Sequence, residues 1–101
     1  MIKVNIISNG DIINEIKIVG HANYDEHGKD IICASVSSIV ITTVNGILSI
    51  YANALKYIQS DDQLLIRVLE SNEIVNKLLN NMINLLKELE VDYVQHIKII
   101  D

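Results

Sequence analysis

Gly20-His21-Ala22-Asn23-Tyr24-Asp25-Glu26-His27-Gly28-Lys29-Asp30-Ile31-Ile32-Cys33-Ala34-Ser35-Val36-Ser37 is the stretch at which the apolar pattern changes period. Before it, apolar residues alternate, as on a half-buried strand. After it, they recur at three- and four-residue steps, as on one face of a helix. The stretch therefore reads as a strand end, a polar loop and a helix start. It also carries the only cysteine of the chain and two of its three histidines.

Working outward, Ile2 to Ile7 is rich in β-branched residues, and Ser8-Asn9-Gly10-Asp11 follows. Asn-Gly between two apolar runs predicts a hairpin, because a type I′ turn needs positive φ at both central residues. The second strand is expected from about Ile12 to Val19, with Ile12, Asn14, Ile16 and Ile18 toward the core and Ile13, Glu15, Lys17 and Val19 on the other face. The loop is expected over Asn23 to Lys29, with Gly28 giving it conformational freedom and no proline stiffening it. Asp30 is placed to cap the helix that follows.

Cys33, Ser37, Val40, Val44, Ile47, Tyr51, Leu55 and Ile58 form one stripe, so this helix is expected to reach about Ile58. Ser60-Asp61-Asp62 reads as a turn and Leu64 to Glu70 as a short strand. Ser71 is the expected cap of a second helix, from about Asn72 to Glu90, with an apolar face running from Ile74 to Leu89. Asp92 to Ile100 reads as the last strand. The order is ββαβαβ. It predicts an α/β (α+β) fold with a four-stranded mixed or antiparallel sheet and two helices mainly on one face. The other sheet face, partly apolar through Ile13, Val19 and alternate residues of the last strand, predicts a homodimer.

At 101 residues the chain is expected to form a single domain, 1–101. Half of it is hydrophobic, yet it holds no Phe or Trp, so the core must be aliphatic. Heavy use of Ile and Asn with no Pro resembles the bias of an A+T-rich bacterial genome. The net charge of −5 argues against a nucleic-acid binder and suits a basic partner. One cysteine forms no internal disulfide, which makes the cytoplasm the simplest compartment. No export signal is visible, and no uninterrupted apolar run of ~18 residues suggests a membrane span.

A thiol is a nucleophile as its thiolate. With Asp30 as cap, Cys33 falls in the first helical turn, where unpaired amides and the dipole favour negative charge. His21 precedes it by twelve positions, a distance that strand end, loop and helix start can fold back. Its imidazole could hold the thiol proton and later give it to a leaving amine. The first-turn amides could receive an oxyanion. From position alone, a lone Cys on an apolar stripe is more often core, and a His at a strand end is more often a surface residue.

Gly20-His21-Ala22, followed by Gly28-Lys29-Asp30-Ile31-Ile32-Cys33-Ala34-Ser35-Val36-Ser37, closely resembles the two-part signature of the bacterial ribosomal-processing cysteine protease family, Prp. The family pattern is Gly-His-Ala, a variable loop, then Gly-x-Asp-Ile-Val-Cys-Ala-Ala-Val-Ser. Ile32 and Ser35 are conservative departures from it. The resemblance implies Cys33 as nucleophile and His21 as general base and proton donor. Gly20, Asp30 and Ser37 match positions that the family keeps around the dyad. The simpler alternatives are a cap for Asp30 and a back-bonded helix serine for Ser37.

The resemblance further implies a homodimeric endopeptidase that removes an N-terminal extension from a large-subunit ribosomal protein, the twenty-seventh in the standard naming. The loop Ala22, Asn23, Tyr24, Asp25, Glu26, His27, Gly28 and Lys29 is then expected to move to admit that basic substrate. The competing class is a non-catalytic, ribosome-associated interaction module with Cys33 as a core residue. No cofactor is expected. A metal site drawn from His21, Asp25, Glu26, His27 and Cys33 matches no common zinc spacing.

Overall fold

The computed structural model of the chain describes the backbone of residues 1–20 and 27–101, and the side chains of residues 1–20 and 31–101. Its elements run β1 (Ile2–Asn9), β2 (Ile12–Val19), α1 (His27–Ile50), β3 (Leu55–Gln59), β4 (Gln63–Val68), α2 (Glu73–Asp92) and β5 (Ile97–Ile100). One mixed sheet has the order β3-β4-β2-β1-β5. Among the described residues only the β1–β5 pair is parallel; β1–β2, β2–β4 and β3–β4 are antiparallel.

The core lies between the sheet and both helices. Ile2, Val4, Ile16, Ile18, Ile66 and Ile97 of the sheet pack in one cluster with Ile32, Val36, Val40, Val44 and Ile47 of α1. Val75, Leu79, Met82, Ile83 and Leu86 of α2 complete it. Burial of such aliphatic side chains contributes roughly 1.5–3 kcal/mol each before chain entropy is counted. The opposite sheet face carries Lys3, Lys17, Lys98 and the Arg67–Glu15 ion pair at 3.2 Å.

The sheet has five strands, one more than the sequence predicts. α1 ends at Ile50, and Leu55 and Ile58, expected on its stripe, belong to β3. Steps of three and four residues cannot separate a helix end from a strand lying just beyond a one-turn break. Here Ala54 N–H donates to Tyr51 O at 3.1 Å, and Leu55 then pairs with Val68. The expected turn at Ser60-Asp61-Asp62 becomes the β3–β4 hairpin, closed by Ser60 N–H on Gln63 O at 2.9 Å.

The first hairpin forms, with Gly10 and Asp11 between the paired Asn9 and Ile12, and Gly10 at φ 63°. A β-bulge interrupts it. Ile7 faces Glu15 while Ser8 faces Ile13, leaving Asn14 as the extra residue. The bulge reverses the facing of the first half of β2. Ile13 is buried and Ile12 exposed, opposite to the expectation from strict alternation. Ile13 thus leaves the outer sheet face on which the dimer expectation rested, while Ile7, Ile58 and Ile100 stand exposed on that face among its lysines.

Asn72, not Ser71, caps α2, its Oδ1 accepting Val75 N–H at 2.9 Å. The helix runs on to Asp92, and β5 begins only at Ile97, so His96 lies in the turn before it. Glu90 Oε2 accepts Ile99 N–H at 2.8 Å, which occupies a donor on the edge strand β5. On α1, the segment Ile31–Ile50 is long and apolar enough to cross a membrane by length and composition, contrary to the expectation above. One stripe of it is nevertheless part of the core.

Candidate active site

Cys33 projects from α1 one residue after the buried Ile32 and three before the buried Val36. This places it at the edge of the core stripe, where it is half-buried. Ser37 follows one turn later. Both line an open cleft of about 110 Å³ whose apolar floor is made by Ile2, Ile18, Val36 and Leu64. Ser35, Thr43 and Ser49 donate their hydroxyls back to helix carbonyls at 2.7–2.8 Å. The Ser37 hydroxyl makes no such bond among the described residues.

Gly20 stands at the rim of the same cleft. Its φ of 90° lies in the left-handed region, and a Cβ there would stand 2.5 Å from Met1 O. Glycine alone fits both the dihedral and the close approach. Gly20 N–H donates to Asp62 O at 3.1 Å, so the end of β2 is tied to the β3–β4 turn.

That turn supplies the remaining wall. Gln59, Ser60, Asp61, Asp62 and Gln63 line the cleft, and no Lys or Arg among the described residues does so. The sequence marks Asp61 and Asp62 only as turn formers. Nothing in local spacing connects position 62 with position 20, because the link depends on β2–β4 pairing, in which Val19 meets Gln63.

The structure thus brings together Gly20, Cys33 and Ser37 of the expected site. His21, Ala22, Asn23, Tyr24, Asp25 and Glu26, including the expected base and most of the expected mobile loop, lie outside the described residues. So do the side chains of His27, Gly28, Lys29 and Asp30. The backbone of the last four is helical, which corrects both the loop, expected to reach Lys29, and the cap at Asp30. Gly28 in the opening turn costs roughly 1 kcal/mol. That is too little to stop a helix whose next turns bury Ile32, Val36 and Val40. Cys33 consequently sits in the second turn of α1. The dipole and free amides of a helix start act mainly within the first turn, so they no longer account for thiolate or oxyanion stabilisation at Cys33.

A half-buried thiol near the head of a core helix, lining an open cleft opposite a hairpin turn on a two-layer α/β fold, is an arrangement that suits a cysteine-dependent hydrolase. Three comparisons agree. The model of the family described as cysteine protease Prp matches residues 1–98. The ribosomal processing cysteine protease Prp of Staphylococcus aureus is 27% identical over 98% of this chain and 97% of its own length. The crystal structure of the S. aureus protease, with a covalently linked product peptide, superposes with a TM-score of 0.88. It is 27% identical and covers 99% of this chain and 98% of the other. The complex of that protease with a substrate peptide gives the same TM-score at 26% identity, covering 98% and 97%. The chain belongs to the Prp family of cysteine proteases. It is therefore a peptidase, which decides against the non-catalytic module.

Proposed function

We propose that the chain is a cytoplasmic endopeptidase that removes the N-terminal extension of a basic large-subunit ribosomal protein, the twenty-seventh in the standard naming. Cys33 is the nucleophile and His21 the general base and proton donor. His21 takes the thiol proton, and Cys33 Sγ attacks the scissile carbonyl carbon. The C–N bond then breaks, the leaving amine takes the proton from His21, and a thioester remains. Water, deprotonated by His21, hydrolyses that thioester and restores the thiol. Ser37 stands one turn from the nucleophile on the same cleft and is assigned to substrate positioning.

The observation that carries this reading is the placement of Cys33 and Gly20 on one cleft, since Gly20 is covalently joined to His21. The names of the S. aureus relative and its peptide complexes support the substrate class. The test is cleavage of a synthetic peptide spanning the ribosomal-protein extension, followed by mass spectrometry. Cys33→Ala should lose at least on the order of 10³-fold in kcat/KM while keeping its fold. Undiminished cleavage by that variant would overturn the nucleophile assignment.

The homodimer remains part of the proposal, but α1 is the better surface for it. No charged residue occurs between Ile31 and Ile50, a length of ~30 Å. Along its outer side an apolar groove runs past Ile31, Ala34, Ser38, Ile39 and Leu89. Ile31 is 60% exposed. Sedimentation should give a dimer that Ser38→Arg converts to monomer; a wild-type monomer of ~11 kDa at micromolar concentration removes the proposal.

A further inference from the structure

We infer that the sheet face turned away from the helices is a docking surface for the phosphate backbone of RNA. The five strands hold six charged residues: Lys3, Glu15, Lys17, Lys56, Arg67 and Lys98. Each of the five cations is exposed and is flanked along its strand by two residues packed in the core, as Ile16 and Ile18 flank Lys17. Alternation therefore sends all five to the outer face, one from every strand. The strands thus give that face five of the chain's eight Lys and Arg but one of its thirteen Asp and Glu. The one acid, Glu15, is paired with Arg67 at 3.2 Å. The net charge of −5 conceals this separation.

The strand register arranges the cations in a line. Lys98 stands opposite Lys3. Lys17 is opposite Asn5, two residues farther along β1. Arg67 is opposite Glu15, two residues farther in the same direction, and Lys56 is opposite Arg67. At ~4.8 Å between strands and ~3.3 Å per residue, the line crosses the sheet diagonally over about 23 Å. Four of the five cations are lysines, mobile point charges that meet phosphates without fixing a geometry. Lysine is depleted at protein–protein interfaces, which disfavours an acidic protein as the occupant. No strand residue on this face is aromatic; Tyr57, the one aromatic in the strands, packs against the core. Bases have nothing there to stack on, so the contact is to the backbone and independent of sequence. Charge of either sign would keep an open sheet face soluble, whereas one sign concentrated on an acidic chain selects an anionic partner. The acidic remainder does not cancel the line, because exposed charges beyond about 8–10 Å are largely screened at physiological salt. The choice of RNA over DNA rests on the substrate proposed above, since a ribosomal protein precursor is itself a partner of RNA.

The test is fluorescence anisotropy of a labelled RNA of about 20 nucleotides titrated with the full chain, between about 50 and about 200 mM salt. Lys3→Glu/Lys17→Glu reverses two neighbouring charges of the line. Lys77→Glu/Lys87→Glu, on α2, changes the net charge equally. Wild-type binding should weaken steeply as salt rises. The sheet pair should lose at least about tenfold in affinity and the α2 pair less than about threefold. Cleavage of the extension peptide should be unchanged in both, since neither pair lines the cleft. If the sheet pair unfolds, Lys3→Gln/Lys17→Gln takes its place, with a loss in the same direction. Absence of RNA binding by the folded wild type at the lowest salt overturns the inference. So does an equal loss in the α2 pair, which marks net charge alone. Tighter binding of matched DNA or of polyglutamate than of RNA overturns the choice of occupant. Absent peptide cleavage with RNA binding intact would strike the function proposed above and not the docking surface.

Discussion

The two hairpin turns stand at opposite ends of β2 and are held in different ways. At the Gly10–Asp11 end, α2 reaches over with one side chain. Asn76 Oδ1 accepts Ile13 N–H at 2.9 Å, and its Nδ2 donates to Asp11 O at 2.8 Å. At the Asp61–Asp62 end the turn is bound main chain to main chain, with Gly20 N–H donating to Asp62 O. The first end is fastened by a residue that can be removed without touching the cleft. The second is built into the cleft wall. The two ends of a single strand are thus divided, one tied to the α2 layer and the other to the cleft wall.

The sharpest way to break this division is Gly20→Ala. The new Cβ meets a backbone carbonyl and the left-handed φ, so one of the two must shift. The expected loss is about 1–3 kcal/mol of stability together with a fall in kcat. Thermal unfolding and peptide cleavage measured on the same sample would check both. Full activity at lowered stability would make Gly20 a fold residue only.

At the other end, Asn76→Ala strips a partly buried N–H and a carbonyl of their partner. A loss of roughly 1–3 kcal/mol is expected, with kcat and KM unchanged. A drop in kcat comparable to that of Gly20→Ala would show that the two ends are coupled and the division false.

Tyr57, on β3 beside the cleft turn, gives the smallest effect. Burial holds its phenol above the ordinary value of 10.0. The neutral form is favoured in the fold, so its contribution is complete below pH 10 and is lost as pH rises through the raised value. Tyr57→Phe should flatten the alkaline decline of stability above about pH 10 and leave the neutral range unaltered. An identical alkaline decline would assign it to other groups.

Much of this fold was legible because its signals are local. The Asn-Gly hairpin, the α2 stripe and the break at Gly20 each occupy a few adjacent residues. The misreadings share another cause: each was settled by a partner distant in sequence. Asn14 bulges where the β1–β2 register slips, and the Ile13 N–H freed there goes to Asn76, 63 positions away. Leu55 leaves the helical pattern because Val68 pairs with it. Helix formation through His27–Lys29 is supported by core contacts farther along α1, which outweigh the propensity of Gly28.

The site divides in the same way. Cys33 and Ser37 stand one helical turn apart within one motif, and both line the cleft. The opposite wall was not legible. Asp61 and Asp62 look like ordinary turn residues until β2–β4 pairing sets them beside Gly20. The Glu90 carboxylate likewise reads as a solvated helix end, yet it accepts the Ile99 amide.

The parallel pairing of β1 with β5 has a consequence for the order of events during synthesis. β1 is made well before its edge partner β5, with Ile2 opposite Ile97 and Ile2 N–H donating to His96 O at 2.9 Å. Ile2 also forms part of the cleft floor. Contacts of such wide sequence separation close slowly, after the local hairpins and helices. The floor beneath Cys33 is thus seated only when β5 docks. A nascent chain that already contains Gly20, His21 and Cys33 still lacks the support that completes its peptide cleft.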